Sequence, residues 1–186
     1  MLERKDLWSL EEYSEKRADF RAEVLKHRGN RRVLLGGHVL LVFEDQITVK
    51  YQIQEMLRIE KTFKAGGIQE ELDAYNPLIP DGDNWKCSML IQYPDVEERK
   101  VRLSQLVDIE NRVWVQVADG AKVFAVADED LDRANDDKTS AVHFLRFQFN
   151  AEQVSAVRAG GRITFGIDHD NYPADDFIVA ESVPEP

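Results

Sequence analysis

Residues 112–128 read RVWVQVADGAKVFAVAD, and this stretch indicates the fold class more clearly than any other. Two runs of alternating apolar residues flank Asp119-Gly120, a dipeptide that tight hairpin turns favour. A second hairpin is predicted in RRVLLGGHVLLVF at residues 31–43, where Gly36-Gly37 supplies the turn. The sequence therefore predicts antiparallel sheet built from hairpins, and further strands are expected at residues 85–93, 142–149, 162–169 and 176–182.

Helical patterns lie between these strands. Ser9 and Glu12 form a capping-box signature at the start of a helix that ends near Gly29. Further helices are predicted at about residues 48–63, 68–75, 94–107 and 151–159. No change of composition marks a linker, so we predict a single α+β domain over residues 1–186. In it, four or five helices pack against a mainly antiparallel sheet, and residues 181–186 form a short frayed tail.

Composition limits the classes of partner. The chain has 186 residues, 43% of them hydrophobic, and a formal net charge of -11. This charge repels a phosphate backbone and an anionic membrane surface, so we expect neither nucleic acid nor membrane as a partner. The longest apolar run, at residues 33–43, is too short to span a bilayer, and the N-terminus has no apolar leader. One cysteine excludes an internal disulfide and fits a cytoplasmic location.

No catalytic motif names a reaction. The sequence contains no G-x-x-x-x-G-K-[ST] or G-x-G-x-x-G phosphate loop, no H-E-x-x-H or C-x-x-C zinc signature, and no G-x-S-x-G. Cys87 falls in a predicted strand, where a buried inert thiol is the expected state. Whether the protein is an enzyme therefore stays open at this point.

One carboxylate stands out in residues 51–76, YQIQEMLRIEKTFKAGGIQEELDAYN, which we interpret as two helices joined at Gly66-Gly67. Helical projection places Glu60 along the centre of the apolar face of the first helix. Glu55 lies at the edge of that face, and Glu71 lies at the margin of the next stripe. A carboxylate is rarely buried without a partner. We therefore predict a pocket here, with these ligand-binding candidates: Glu60, Glu55, Glu71, Arg58, Asn76 and, from a later strand, Arg146.

Three hypotheses explain such a glutamate. In the first it is structural, and Arg17 or Arg146 is its ion-pair partner. In the second it binds a transition metal together with Glu71 and His143, although no Glu-x-x-His pair of a di-iron bundle occurs. In the third, burial raises its pKa and it serves a small ligand or acts as a general base.

Most of the chain, to about Tyr172, resembles the bacterial family called domain of unknown function 3501. The similar blocks are SLEEY, RRVLLG, FEDQITVKYQIQEMLRIE, IQEELDAYNPLIPDG, DVEERK, RVWVQV, ADEDL and TSAVHFLRF. The resemblance implies a role near peroxide defence or electron transfer, beside a rubrerythrin-type or iron–sulfur redox protein. It implies no catalytic residue.

A single cysteine cannot hold an iron–sulfur cluster, so the resemblance favours an accessory protein of a redox or oxidative-stress system. Such a protein would have a carboxylate-centred metal or small-ligand pocket. Two alternatives remain open. One is a non-catalytic protein-interaction module whose buried polar residues are structural, and the other is a hydrolase or lyase with a buried glutamate as general base.

Overall fold

The computed structural model describes residues 1–129, 138–172 and 177–179, the last of these as backbone. Among these residues are five α-helices and nine strands in two antiparallel sheets, which confirms the α+β class. The predicted extent of the domain, residues 1–186, stays a prediction. The predicted tail at 181–186 lies outside the described residues.

The chain clusters into two compact units, and each unit combines two segments. The helical unit comprises Met1–Asn30 and Glu44–Pro80, and the sheet unit comprises Arg31–Phe43 and Asp81–Pro186. No helix among the described residues is long and apolar enough to cross a membrane.

The helical unit contains α1 (Leu10–Gly29), α2 (Gln46–Glu60) and α3 (Ala65–Tyr75), with short 3-10 turns at Arg4–Asp6 and Asn76–Leu78. As predicted, α1 begins after Ser9, whose hydroxyl accepts a hydrogen bond from the backbone of Glu12.

The predicted joint at Gly66-Gly67 is wrong, because both glycines lie in the first turn of α3. The chain instead turns at Lys61, which has a left-handed φ of 52°. Close packing against Thr62 favours glycine at position 67. A Cβ there would lie 2.7 Å from the side chain of Thr62.

A stripe along α2 organises the core of the helical unit. Val49, Ile53 and Leu57 recur one helical turn apart, and each is almost fully buried. Leu2, Leu72 and Ile79 complete this cluster. A second cluster consists of Tyr13, Phe20 and Val24, with Trp8 and Tyr51 packed against it.

The sheet unit contains α4 (Val96–Gln105) and α5 (Ala151–Arg158). Its strands are β1 (Arg32–Leu35), β2 (Val39–Phe43), β3 (Asn84–Ile91), β4 (Val113–Val117), β5 (Val123–Phe124), β6 (Val126–Ala127), β7 (Val142–Gln148), β8 (Ile163–Ile167) and β9 (Phe177–Val179). The sheet orders are β1-β2-β3-β7-β6 and β5-β4-β8-β9, and all neighbouring strands are antiparallel.

Both predicted hairpins are present, and the second one differs in extent. Gly36 and Gly37 have φ values of 56° and 82° in the turn between β1 and β2, which confirms the first. In the second, β4 pairs with β5. The chain changes sheets after Ala125, so that β6 pairs with β7 instead.

Aromatic rings join the two sheets within this unit. Phe165 of the second sheet lies 5.5 Å from Phe43, 6.1 Å from Trp85 and 6.0 Å from Phe147, measured between ring centroids. Cys87 belongs to the same core and is 2% exposed, which confirms that its thiol is buried.

Candidate functional site

Glu60 is exposed, so the prediction that it lies buried in the apolar face of α2 is wrong. Its direction around the helix axis is the predicted one, but it is the last residue of α2. The buried stripe stops at Leu57, and beyond it Ile59 and Phe63 are 59% and 73% exposed. Glu60 acts on its neighbourhood through charge. Partial burial and the nearby Glu60 carboxylate raise the pKa of Glu71.

Glu55 is the carboxylate with a structural role on α2. Its side chain is 13% exposed, and it accepts hydrogen bonds from Arg17 Nε at 2.6 Å and Arg17 Nη2 at 3.0 Å. Tyr13 Oη donates to it at 2.7 Å and Arg58 Nη2 at 3.1 Å. These bonds, Arg17 first, lower the pKa of Glu55 to about 2. The proposed structural role of Arg17 fits this ion pair, but its partner is Glu55 rather than Glu60.

Two side-chain amides hold the N-terminal segment in place. Asn76 Oδ1 accepts from Leu2 N at 2.8 Å, and its Nδ2 donates to Leu2 O at 2.9 Å. Gln54, which is fully buried, accepts from Trp8 N at 2.7 Å and donates to Trp8 O at 3.4 Å. Each side-chain amide thus bonds both the backbone N–H and the backbone C=O of one residue, as a residue of a paired strand would. Asn76 was predicted to bind a ligand, but both polar atoms of its side-chain amide are hydrogen-bonded within the protein.

The fixed segment forms one wall of a cavity in the helical unit, with α1 and α2 as the other walls. Its volume is about 570 Å³, within the range of about 300–1,000 Å³ typical of small-molecule sites. We call it the Trp8–Lys50 cavity, and its lining residues are Leu2, Lys5, Asp6, Leu7, Trp8, Phe20, Glu23, Gln46, Ile47 and Lys50.

Lys50 is the charged group that faces the aromatic wall of this cavity. Its Nζ lies 3.9 Å from the ring centroid of Trp8, and Phe20 meets that indole edge-on at 4.9 Å. Among the described residues, no carboxylate oxygen lies within 4.0 Å of this Nζ and no group accepts a hydrogen bond from it. Burial lowers the pKa of Lys50, Asp6 opposes this effect, and Lys16 adds to it.

A buried polar network surrounds His143 in the sheet unit. His143 Nδ1 lies 2.5 Å from Asp128 Oδ2, and Nε2 lies 2.7 Å from Thr139 Oγ1 and 3.0 Å from Ser140 O. Thr139 Oγ1 donates to Glu110 Oε2 at 2.9 Å. The carbonyl of Ser140 faces Nε2 as an acceptor. Both ring nitrogens are therefore occupied by protein partners.

This network has the order of a nucleophilic triad, but its geometry opposes that role. The imidazole is completely buried, and Thr139 is 1% exposed. The hydroxyl proton of Thr139 points to Glu110, whereas a nucleophile would give its proton to the histidine. We conclude that the network stabilises the pairing of β6 and β7, since Asp128 Oδ1 also accepts from the backbone of Phe144.

The remaining predicted residues do not assemble a metal site. Glu60 and Glu71 both belong to the helical unit, and no third metal-ligating side chain is placed beside them among the described residues. Over residues 1–129, 138–172 and 177–179, no three His, Cys, Asp or Glu side chains are placed to hold a metal ion. Arg146 donates to both oxygens of Glu129 at 2.7 Å. The transition-metal hypothesis therefore has no support in this part of the chain.

Sequence reasoning missed Lys50 and Trp8, although one signal was present. Lys50 lies three residues before Ile53, so helical projection places it on the border of the buried stripe. The same argument that selected Glu60 would have selected Lys50. Nothing local to Trp8 shows that the N-terminal segment returns to cover α2.

The chain belongs to the family described as protein of unknown function DUF3501, which matches residues 1–185. The predicted membership is thereby confirmed. A crystal structure from Burkholderia pseudomallei, titled a novel protein of unknown function, is similar. The two chains share 46% identity with a TM-score of 0.93, over 98% of this chain and 94% of that chain. No curated protein matches this sequence.

Proposed function

We propose that the protein is an accessory binding protein of a bacterial redox system, and that the Trp8–Lys50 cavity holds a planar, anionic small molecule. One observation carries the binding role. Lys50 is half-buried, lies on the face of Trp8, and among the described residues has no carboxylate within ion-pair distance. Partial burial of a cation costs free energy, the charges of Asp6 and Glu12 offset part of that cost from beyond ion-pair distance, and an anionic ligand next to Nζ would offset more of it.

The cavity walls suit a ligand with a flat ring and one acidic group. The indole of Trp8 offers a face on which a planar ring can stack. Leu2, Leu7 and Ile47 add apolar surface. Asp6 and Glu23 also line the cavity. Their carboxylates disfavour ligands with more than one anionic group, in keeping with the net charge of -11.

The redox context comes from the family resemblance, which implies a rubrerythrin-type or iron–sulfur partner. The chain contains one cysteine, and it is buried. Any electron-transfer role would therefore use the bound molecule or the partner protein rather than a thiol of this chain. Flavin mononucleotide is a planar anion with redox chemistry, so it is a suitable competitor in binding assays.

Titration with 8-anilinonaphthalene-1-sulfonate, a fluorescent anion with a flat naphthalene ring, tests the binding role. Lys50→Gln removes the charge, Lys50→Arg retains it, and Lys26→Gln makes the same change at an exposed position of α1 outside the cavity. We expect Lys50→Gln to weaken binding about tenfold, which corresponds to about 1.4 kcal/mol. The other two variants should stay within about threefold of wild type. Equal binding by Lys50→Gln and wild type would contradict the proposal.

Competition between flavin mononucleotide and the dye tests the link to redox chemistry. Displacement from wild-type protein but not from Lys50→Gln would support a redox-active ligand. Failure of flavin to displace the dye, with the Lys50 dependence of dye binding intact, would limit the proposal to other planar anions.

A protein-interaction role is the second candidate, and two observations favour it. Glu55 and Asn76 are engaged in internal hydrogen bonds, as structural polar residues would be. Ile59 and Phe63 are strongly exposed apolar side chains. The proposed partner is a rubrerythrin-type protein. Sedimentation of the two purified proteins should show a complex that Phe63→Ser weakens. An unchanged complex would exclude this surface.

The hydrolase or lyase with a buried glutamate as general base stays a prediction, but Glu60 is not that glutamate. That role would need burial to raise the pKa of the carboxyl group, and Glu60 is exposed.

A further inference from the structure

We infer that Lys50 is a carbonyl-reactive amine, and that the natural ligand of the Trp8–Lys50 cavity carries an aldehyde or ketone with which Lys50 forms an imine. This inference rests on the proposed binding of a planar anion in the same cavity. It adds a covalent step and a chemical class of ligand to that proposal.

The surroundings of Lys50 differ from those of the neighbouring lysine. Lys16 lies 5.1 Å from the same indole, and its ammonium is paired with Glu12 Oε1 at 2.5 Å. The Lys16 ammonium is therefore engaged by a carboxylate. Among the described residues, Lys50 lacks a partner of this kind, and its Nζ borders a cavity. The two lysines therefore form a natural comparison on one indole ring, with only Lys50 lining the cavity.

Burial favours the neutral, nucleophilic form of Lys50. Its pKa lies below the ordinary value of 10.5, because partial removal from water destabilises the ammonium. Desolvation is a recognised way of activating lysine for Schiff-base formation. The aromatic face of Trp8 attracts the ammonium and opposes this effect.

We assign the proton transfers of the reaction to Asp6. Its carboxylate lines the cavity, and its Oδ2 accepts the backbone N–H of Glu3 at 2.8 Å, which fixes its orientation. Neutral Lys50 Nζ attacks the carbonyl carbon, and a carbinolamine forms as a proton moves from nitrogen to oxygen. Loss of the second nitrogen proton and of the hydroxyl group releases one water and leaves the C=N bond. No oxidant, reductant or metal is required.

The experiment uses pyridoxal 5′-phosphate as a probe, because it is a planar aromatic anion with an aldehyde. The full-length protein is mixed with less than one equivalent of the probe, reduced with borohydride, digested and analysed by mass spectrometry. We expect the Lys50 peptide to carry most of the reduced adduct, at least about tenfold more than the Lys16 peptide. Lys50→Arg should lose this adduct and still bind 8-anilinonaphthalene-1-sulfonate. Lys16→Arg should retain the adduct at Lys50.

The outcomes separate the two proposals. Adducts spread over exposed lysines without enrichment at Lys50 would overturn the inference. If dye binding still depends on the charge of Lys50 in that case, the proposed binding function stands without covalent chemistry. If dye binding is also independent of Lys50, both proposals fail.

Discussion

Replacing Glu55 by glutamine tests the central ion pair of the helical unit. The variant loses the charge that receives both hydrogen bonds from Arg17 and one from Tyr13. The pKa of Glu55 falls from 4.5 to about 2 on folding, which corresponds to about 3.5 kcal/mol at about 1.4 kcal/mol per pKa unit. Arg17 is 35% exposed, and water screens part of this energy. We therefore expect Glu55→Gln to lower the free energy of unfolding by about 2–3 kcal/mol.

The matched control is Glu60→Gln, five residues along the same helix. Glu60 is exposed, so its substitution should change the free energy of unfolding by less than about 0.5 kcal/mol. Urea denaturation followed by circular dichroism measures both variants. A larger loss for Glu60→Gln than for Glu55→Gln would refute the assignment of Glu55 as the structural carboxylate.

The pH dependence of the same pair gives an independent readout. Because folding lowers the pKa of Glu55, its contribution is complete well above pH 4.5 and decreases as the pH falls toward 2. At pH 3, about 2 kcal/mol of the contribution should be lost. The stabilities of wild type and Glu55→Gln should therefore converge on acidification. A difference that stays constant from pH 7 to pH 3 would contradict this reasoning.

Three further substitutions test the sheet unit by urea or thermal denaturation. Tyr172→Phe removes a hydroxyl that donates to Leu35 O at 2.5 Å, and we expect a loss of about 1–3 kcal/mol. Gly166→Ala would place a Cβ 2.2 Å from the ring of Trp114, so a loss of about 1–3 kcal/mol or more is expected. Thr139→Val leaves a buried carboxylate without its hydroxyl donor, and a similar loss of about 1–3 kcal/mol is expected. Wild-type stability in any one of them would contradict the importance of that contact.

The elements that sequence reasoning identified correctly depend on local chemistry. The turn at Gly36-Gly37 needs two residues with positive φ, and glycine meets this need at low cost. The N-terminal cap of the helix after Ser9 depends only on the four consecutive residues from Ser9 to Glu12. The change of sheet after Ala125 has no such local sign. Which sheet receives a strand depends on distant partners, here β7 for β6.

In the candidate site too, sequence reasoning found what local pattern determines and missed what depends on distant contacts. Periodicity gave the direction of Glu60 around the helix but not the point at which packing on α2 ends. The interruption of α1 by Arg17 correctly signalled a partly buried ion pair. Its partner could not be chosen among several carboxylates without the register between α1 and α2. Lys50 was within reach of the projection, whereas the return of Trp8 over α2 depends on contacts 46 residues apart in sequence.

The measurement that tests the proposed site most directly is a crystal structure of the protein with 8-anilinonaphthalene-1-sulfonate. The proposal predicts the sulfonate about 3 Å from Lys50 Nζ and the naphthalene ring against Trp8. Dye bound elsewhere on the chain, with the Trp8–Lys50 cavity empty of it, would contradict the proposal.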